Sequence, residues 1–309
     1  MLRIENLTKA YPSLKAVDSL NLEVGSGDIM GFIGPNGAGK TTTIRIVSTL
    51  LQPTSGRVFV DDMDIAEHPD EVRAVMGYMP DFFGLYEDVR VWEYLDFFAA
   101  AYKLPKEKRL PTIKDVLELT DLSGKYESMV SELSRGMQQR LCLAKTILHN
   151  PKLLLLDEPA SGLDPRARIE IRELLKELRR MGKTILISSH ILPELADFCN
   201  KIAVIEQGKL VVSGDVEEIM RRCRGGLVLK IRLVDRATEA IELLNKTELI
   251  NSVTTDEEGF ILATYLGEEG TQHQVLRSLV LNDFKVIGFE EARVDLQDVF
   301  MQVTRGVVS

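Results

Sequence analysis

The sequence is short of several things, and each shortage excludes something. It has only three cysteines, Cys142, Cys199 and Cys223, in 309 residues. They are far apart and odd in number, which excludes a disulfide framework or a cysteine metal knuckle and fits a reducing cytosol. No apolar run approaches the ~18–20 residues of a membrane span. Met1-Leu2-Arg3-Ile4-Glu5-Asn6 carries charge at once, so no secretory signal is expected. Basic side chains are in the minority: 38 Lys and Arg stand against 47 Asp and Glu, a net charge of −9. That balance argues against general nucleic-acid or anionic-membrane binding, which rests on a basic face, but it is compatible with a local anion site. With 45% hydrophobic and 28% charged residues, the composition is that of an ordered globular protein. The length suggests two domains at about 150 residues each.

Along the chain, alternation in Leu2, Ile4, Leu7 and in Leu20, Leu22, Val24 predicts two strands around a Tyr11-Pro12-Ser13 turn. A short buried strand at 29–33 leads into a Gly-rich loop and a helix from Lys40 to about Leu51. Strands are expected at 58–60 and 75–78, and helices at 91–102, 112–120 and 136–148, with Pro105 and Pro111 as punctuation. The all-leucine run 153–156 reads as a central parallel strand covered on both faces. A helix (165–181), a strand (184–188), a helix (192–199) and a strand (202–206) then complete the alternation of a doubly wound sheet. Arg221-Arg222-Cys223-Arg224-Gly225-Gly226 reads as a linker. The remaining residues follow a strand, helix, strand, strand, helix, strand order, which is ferredoxin-like.

Gly34-Pro35-Asn36-Gly37-Ala38-Gly39-Lys40-Thr41 matches G-x-x-x-x-G-K-[ST] in full. Its glycines let backbone N–H groups turn inward around phosphate oxygens. Lys40 is expected to reach the β- and γ-phosphates, and the Thr41 hydroxyl to ligate Mg²⁺. Downstream, Asp157 ends the leucine strand, placed to hold Mg²⁺ through water, and Glu158 can accept a proton from an attacking water. By themselves, adjacent carboxylates at a strand end are also what a solvated turn shows.

Between these motifs lies Leu133-Ser134-Arg135-Gly136-Met137-Gln138-Gln139-Arg140-Leu141. Read locally, it is a helix N-capped by Ser134. With Ser134 and Gly136 just upstream of the acidic strand, it resembles the Leu-Ser-Gly-Gly-Gln signature of the ATP-binding-cassette (ABC) ATPases. The resemblance covers residues 1 to about 222. Ser161-Gly162-Leu163-Asp164 resembles the family's D-loop, Ser188-Ser189-His190 its switch-histidine strand end, and Tyr11 occupies the adenine-stacking position. The resemblance implies an α/β P-loop NTPase fold: a RecA-like core, an antiparallel β subdomain and a helical subdomain at about 82–150. A ferredoxin-like α+β domain at 223–309 follows. It implies ATP and Mg²⁺ as cofactors. The implied nucleotide contacts are Tyr11, Gly34, Pro35, Asn36, Gly37, Ala38, Gly39, Lys40, Thr41, Thr42 and Asp164, with Ser134 and Gly136 reaching the γ-phosphate of a second copy. Glu158, His190 and Lys40 are implied for catalysis, and Thr41, Asp81 and Asp157 for the metal.

Three positions in two motifs depart from the family pattern. Arg135 stands where Gly is usual and Met137 where Gln is; Arg135 either adds a charge contact to the partner or faces water. Asp81 stands where the family's Q-loop places Gln. An Asp can still hold Mg²⁺ through oxygen, and it adds negative charge near the γ-phosphate.

Aromatic residues are concentrated: Tyr78, Phe82, Phe83, Tyr86, Trp92, Tyr94, Phe97, Phe98 and Tyr102 fall within 25 residues. Leu95, Phe98 and Tyr102 lie at helical spacing and suit a core. A loop reading Phe82-Phe83-Gly84-Leu85-Tyr86 is more apolar than solvation requires, and such a patch marks a partner site. In ABC transporters this region receives a helix of the membrane subunit. Residues 223–309 carry nine basic and fourteen acidic side chains, so RNA is not an expected ligand despite the ferredoxin-like order. Val294-Asp295-Leu296-Gln297-Asp298-Val299-Phe300 resembles the tail of ATP-binding subunits of bacterial ABC-2-type exporters.

The reading is therefore a Mg²⁺-dependent ATPase subunit that drives separately encoded permease subunits. It is expected in the cytoplasm, peripheral on the membrane through the permease, and as a homodimer, since both half-sites look complete. Two rivals from other classes are a soluble ABC protein that remodels ribosomes or DNA, and a ligand-sensing module in which ATP is only structural. The first usually carries tandem cassettes or a long coiled-coil insertion, and neither appears here. The intact Glu158 and His190 speak against the second.

Overall fold

Burial alternates at the start of the first strand, β1 (Leu2–Tyr11), where Leu2 and Ile4 enter the core, and Leu7 joins them after a register shift. The structure is a computed structural model that describes residues 1–82, 84–191, 195, 198–216, 218–219, 227–256, 258–267 and 270–291. Phe83, the 221–226 linker, most of the expected 192–199 helix and the 294–300 motif lie outside the described residues. The chain divides into two units, Met1–Gly214 and Asp215–Ser309.

In the first unit, β1 pairs antiparallel with β2 (Leu14–Val24) and β4 (Ser55–Val60). With β5 (Met63–Asp64) they form a sheet of order β2-β1-β4-β5. A second sheet holds β3 (Ile29–Ile33), β6 (Met76–Met79), β7 (Leu153–Asp157), β8 (Thr184–Ser189), β9 (Lys201–Glu206) and β10 (Lys209–Asp215), in the order β10-β9-β3-β8-β7-β6. The ladders β9-β3, β3-β8, β8-β7 and β7-β6 are all parallel. Every residue of β3 and β7 is buried, as a strand covered on both faces requires. The parallel register sends all the C-terminal strand ends to one edge, where the crevice of a doubly wound sheet opens.

The helices are α1 (Lys40–Val47), α2 (Pro69–Val75), α3 (Val91–Ala101), α4 (Lys106–Leu119), α5 (Arg135–Ile147) and α6 (Pro165–Arg180). Three differ from the sequence expectation. Helix α1 stops at Val47. Helix α2 occupies residues to which the sequence reading gave no element, apart from Val75, and β6 begins one residue after the start of the expected 75–78 strand. Helix α4 begins at Lys106 and runs through Pro111. The ring at Pro111 removes one N–H, so the carbonyl of Glu107 loses its helical partner; Glu107 is exposed, and water can serve it.

The second unit holds β11 (Leu227–Leu233), α7 (Ala237–Asn245), β12 (Ile250–Thr255), β13 (Ile261–Tyr265), α8 (His273–Leu281) and β14 (Val286–Glu291). Its antiparallel sheet has the order β12-β13-β11-β14, the ferredoxin-like arrangement. Leu229, Ile231, Ala263 and Tyr265 pack with Leu244 and Leu279 into its own core.

The load on the leucine strand can be measured. Leu155 is fully buried. Leu155→Ala is expected to cost about 2–5 kcal/mol, the usual loss for truncating a buried leucine. Urea denaturation should show a lower midpoint with an unchanged slope.

Candidate active site

A cleft of about 390 Å³ opens beside the Gly-rich loop, lined among others by Tyr11, Leu14, Ala16, Lys40, Asp81, Glu158 and His190. The loop that forms its floor depends on glycine at two points. Gly39 has φ +108, and a Cβ there would lie 2.4 Å from the Ala16 carbonyl oxygen. At Gly34 a Cβ would lie 2.2 Å from the Ile205 carbonyl oxygen. Any side chain at either point forces the loop off the strands behind it. Asn36, Gly37, Ala38, Thr41 and Thr42 line the same cleft.

Lys40 is buried, with its Nζ donating to the carbonyl oxygens of Gly34 at 2.7 Å and Pro35 at 3.3 Å. It also lies 3.5 Å from Glu158 Oε1. The other Glu158 oxygen, Oε2, is 2.8 Å from His190 Nδ1. Glu158 thus sits between the loop lysine and the histidine, and its backbone adopts φ +50, a region that non-glycine residues rarely enter. Asp157, 1% exposed, accepts from Thr41 Oγ1 at 3.2 Å and from Ser188 Oγ at 2.6 Å. These hard oxygens fit Mg²⁺, which takes one or two carboxylates and fills its shell with phosphate and water. Among the described residues no cluster of three or more His, Cys, Asp or Glu side chains fits a metal ion.

Asp81 lines the same cleft and is exposed; partial loss of water there holds its pKa above the ordinary carboxylate value, and the charges of Asp157 and Glu158 add to the effect. His190 and Arg135 act the other way. At the opposite end Tyr11 is 45% exposed, with the Lys9 ammonium 5.3 Å from its ring centroid. An open aromatic face beside apolar Leu14 and Ala16 is suited to a flat base.

The remaining sequence-derived residues lie elsewhere in this unit. Ser134 caps α5, accepting from the Met137 N–H at 3.4 Å. Asp164 caps α6, accepting from the Ala167 N–H at 3.0 Å. Gly136 lies against Ala167, since a Cβ there would be 3.1 Å from the Ala167 Cβ. None of the three lines the cleft of its own chain. Arg135 does not simply face water: its Nη2 donates to the Ser161 carbonyl oxygen at 3.4 Å, and its guanidinium fills the space a Cβ on Gly162 would need. Gln139 Nε2 donates to the Pro159 carbonyl oxygen, so α5 grips the 159–162 loop at two points. Sequence reasoning assigned no role to Gln139, Leu14 or Ala16, and placed Ser161 only within the D-loop. It quoted Ser188 only as part of a strand end; no local signal pairs that residue with Asp157.

The aromatic segment is divided. Tyr94 and Leu95 are buried, and Tyr86, Tyr94, Phe97 and Phe98 meet at centroid distances of 4.9–6.3 Å. Tyr102 stacks on His149, whose Nε2 lies 3.0 Å from the Met76 carbonyl oxygen of β6. Phe82 is 90% exposed and Tyr86 57% exposed.

Comparison with known proteins places these features in a family. Residues 17–161 match the family model described as ABC transporter. The bacitracin transport ATP-binding protein BcrA of Bacillus licheniformis is 33% identical over 99% of this chain and 98% of that protein. The Nod factor export ATP-binding protein I of Cupriavidus metallidurans is 37% identical over 71% of this chain and 73% of its own length. Among solved structures, a dimeric ATP-binding cassette in a post-hydrolysis state, bound to ADP and Pi, superposes with a TM-score of 0.63 at 26% identity. The match covers 70% of this chain and 99% of that one.

The raised pKa of Asp81 has a consequence for stability. Below the ordinary value of 3.8 the residue is protonated in both folded and unfolded chains, and its charge costs nothing. As pH rises through the higher folded value, the carboxylate becomes a penalty on the fold. Asp81→Asn, which removes it, should melt above the wild type at pH 7, and the gap should close as the pH is lowered toward 4. Melting curves across that range check this; a neutral-pH melting temperature at or below that of the wild type contradicts it.

Proposed function

The chain belongs to the ATP-binding, ATP-hydrolysing proteins of ABC transporters, and from that premise we propose that it powers a separately encoded permease of an ABC-2-type exporter. Similarity to the bacitracin transport protein over 99% of the chain, second unit included, supports the exporter reading. The export named for the Nod factor protein supports it further. No helix among the described residues is long and apolar enough to cross a membrane. We place the chain in the cytoplasm, on the membrane surface, held there by the permease.

In this reading ATP lies with its base on Tyr11 and its phosphates on the loop N–H groups. Lys40 neutralises charge on the transferring phosphoryl group. Thr41 and Asp157 would hold Mg²⁺, with Asp81 a further oxygen donor at the same end, and the bound ion would supply Lewis-acid stabilisation of phosphate charge. Glu158 orients and polarises the attacking water and takes its proton. His190, held against Glu158, presents its ring to the γ-phosphate. Ser134 and Gly136 do not line the cleft of their own chain, which suits a contact with the nucleotide of a second, head-to-tail copy. The product is an isologous dimer with two composite sites.

The observation that carries the catalytic assignment is the position of Glu158, between Lys40 and His190 at the edge of the cleft. Glu158→Gln should keep ATP binding, lose about 10²–10⁴-fold in turnover, and accumulate as an ATP-bound dimer. Steady-state ATPase assays with size-exclusion chromatography in ATP test this. Turnover near the wild-type rate would remove Glu158 from the role.

The exposed aromatics are the proposed dock for the permease. Phe82 follows Asp81 directly, so one short loop touches both the cleft and the surface. Phe82→Ala should leave the melting temperature and the basal ATPase within experimental spread, because a 90% exposed ring contributes little to the core. Permease-stimulated ATPase and transport should fall. A large drop in melting temperature, with basal activity lost, would count against the docking role.

A further inference from the structure

We infer that Ser188 is the positioning residue that sets both acidic groups at the end of β7. The inference rests on the roles proposed above for Asp157 and Glu158. In the parallel ladder Asp157 is the register partner of Ser188. Ser188 is fully buried, and its hydroxyl makes two bonds of opposite sense. It donates to Asp157 Oδ1 at 2.6 Å, and it accepts from the Glu158 N–H at 3.0 Å. A hydroxyl is the smallest side-chain group that donates and accepts at once.

The two bonds act on different things. The first orients a carboxylate that also accepts from Thr41, and so fixes the pair of oxygens offered to the metal. The second restrains the backbone of Glu158 in its left-handed conformation at φ +50. Two residues further on, His190 holds the Glu158 carboxylate. The end of β8 therefore grips Glu158 at both its backbone and its side chain. Without the Ser188 hydroxyl, a partly buried N–H loses its acceptor and nothing from β8 restrains Glu158 at the backbone. Ser188 is not among the residues that line the cleft, and in this inference it acts through Asp157 and Glu158.

The test compares Ser188→Ala, Ser188→Thr and Ser188→Val in the full chain. Thr and Val have the same shape, and only Thr keeps the hydroxyl, so the pair separates hydrogen bonding from packing. S188A and S188V should lose about tenfold to a hundredfold in kcat, the range for a hydrogen bond to a charged group. Their equilibrium ATP affinity should stay within about twofold of wild type, and half-saturation by Mg²⁺ should move to higher concentration. S188T should retain most of kcat. The inference fails if all three variants turn over at the wild-type rate. It also fails if S188T falls as far as S188V while melting temperature and ATP affinity drop together, which would make Ser188 a packing residue. Glu158→Gln run alongside separates the two readings: full activity there overturns the role of Glu158 itself. An inactive E158Q with active S188A and S188V overturns only the present inference.

Discussion

The register between β7 and β8 is the constraint on which the acidic end of the site depends. Leu153 stands opposite Thr184, and the ladder carries that pairing through to Asp157 opposite Ser188. Side chains alternate along a strand, so a slip of one residue would turn Asp157 to the other face of the sheet and break its bonds to Thr41 and Ser188. The register is held by burial on both faces: Leu153, Leu154, Leu155 and Leu156 are all fully buried, as are Ile185 and Leu186 opposite them. A hydrophobic ladder with no use for water thus ends at a carboxylate that is 1% exposed, and the polar cleft begins there.

The charges at that edge are unbalanced by design of the sequence. Asp81, Asp157 and Glu158 all act on one another across the cleft, and repulsion from the other two helps hold the Asp81 carboxyl above its ordinary pKa. Lys40 is the buried cation among them. A triphosphate adds more negative charge, so it must bring a cation with it. The site is built to bind a metal and a nucleotide together, and the Asp that replaces the family's usual Gln at position 81 sharpens that requirement.

Motion of the site can reach the surface by two short routes. Helix α5 holds the loop after Glu158 through Gln139 and Arg135. The other end of the same helix leads to His149, which binds the Met76 carbonyl of β6 and stacks on Tyr102 at the end of α3. Burial lowers the His149 pKa, which favours the neutral ring that this apolar stack accommodates. Strand β6 ends just before Asp81, and exposed Phe82 comes next. The loop that brings Asp81 to the cleft and the exposed Phe82 ring are thus consecutive in the chain.

Much of this was legible in the amino-acid order. A phosphate loop is a local device: its glycines, its lysine and its threonine act within eight residues, so Gly34 to Thr41 could be read directly. The leucine run told of a doubly covered strand, and the ferredoxin-like order of the second unit followed from periodicity alone. Helix α4 begins earlier than the prolines suggest, because Pro111, six residues into the helix, leaves its lost hydrogen bond at the exposed Glu107, where water can take it. Ser188, Gln139 and Arg135 were not assigned their contacts, since each joins segments 20 or more residues apart. Sequence by itself determined the chemical types available: a cradle of amides, one lysine, carboxylates, one histidine. Tertiary structure alone decided which of them meet, because strand register and helix packing bring together residues whose separation along the chain carries no trace of the contact.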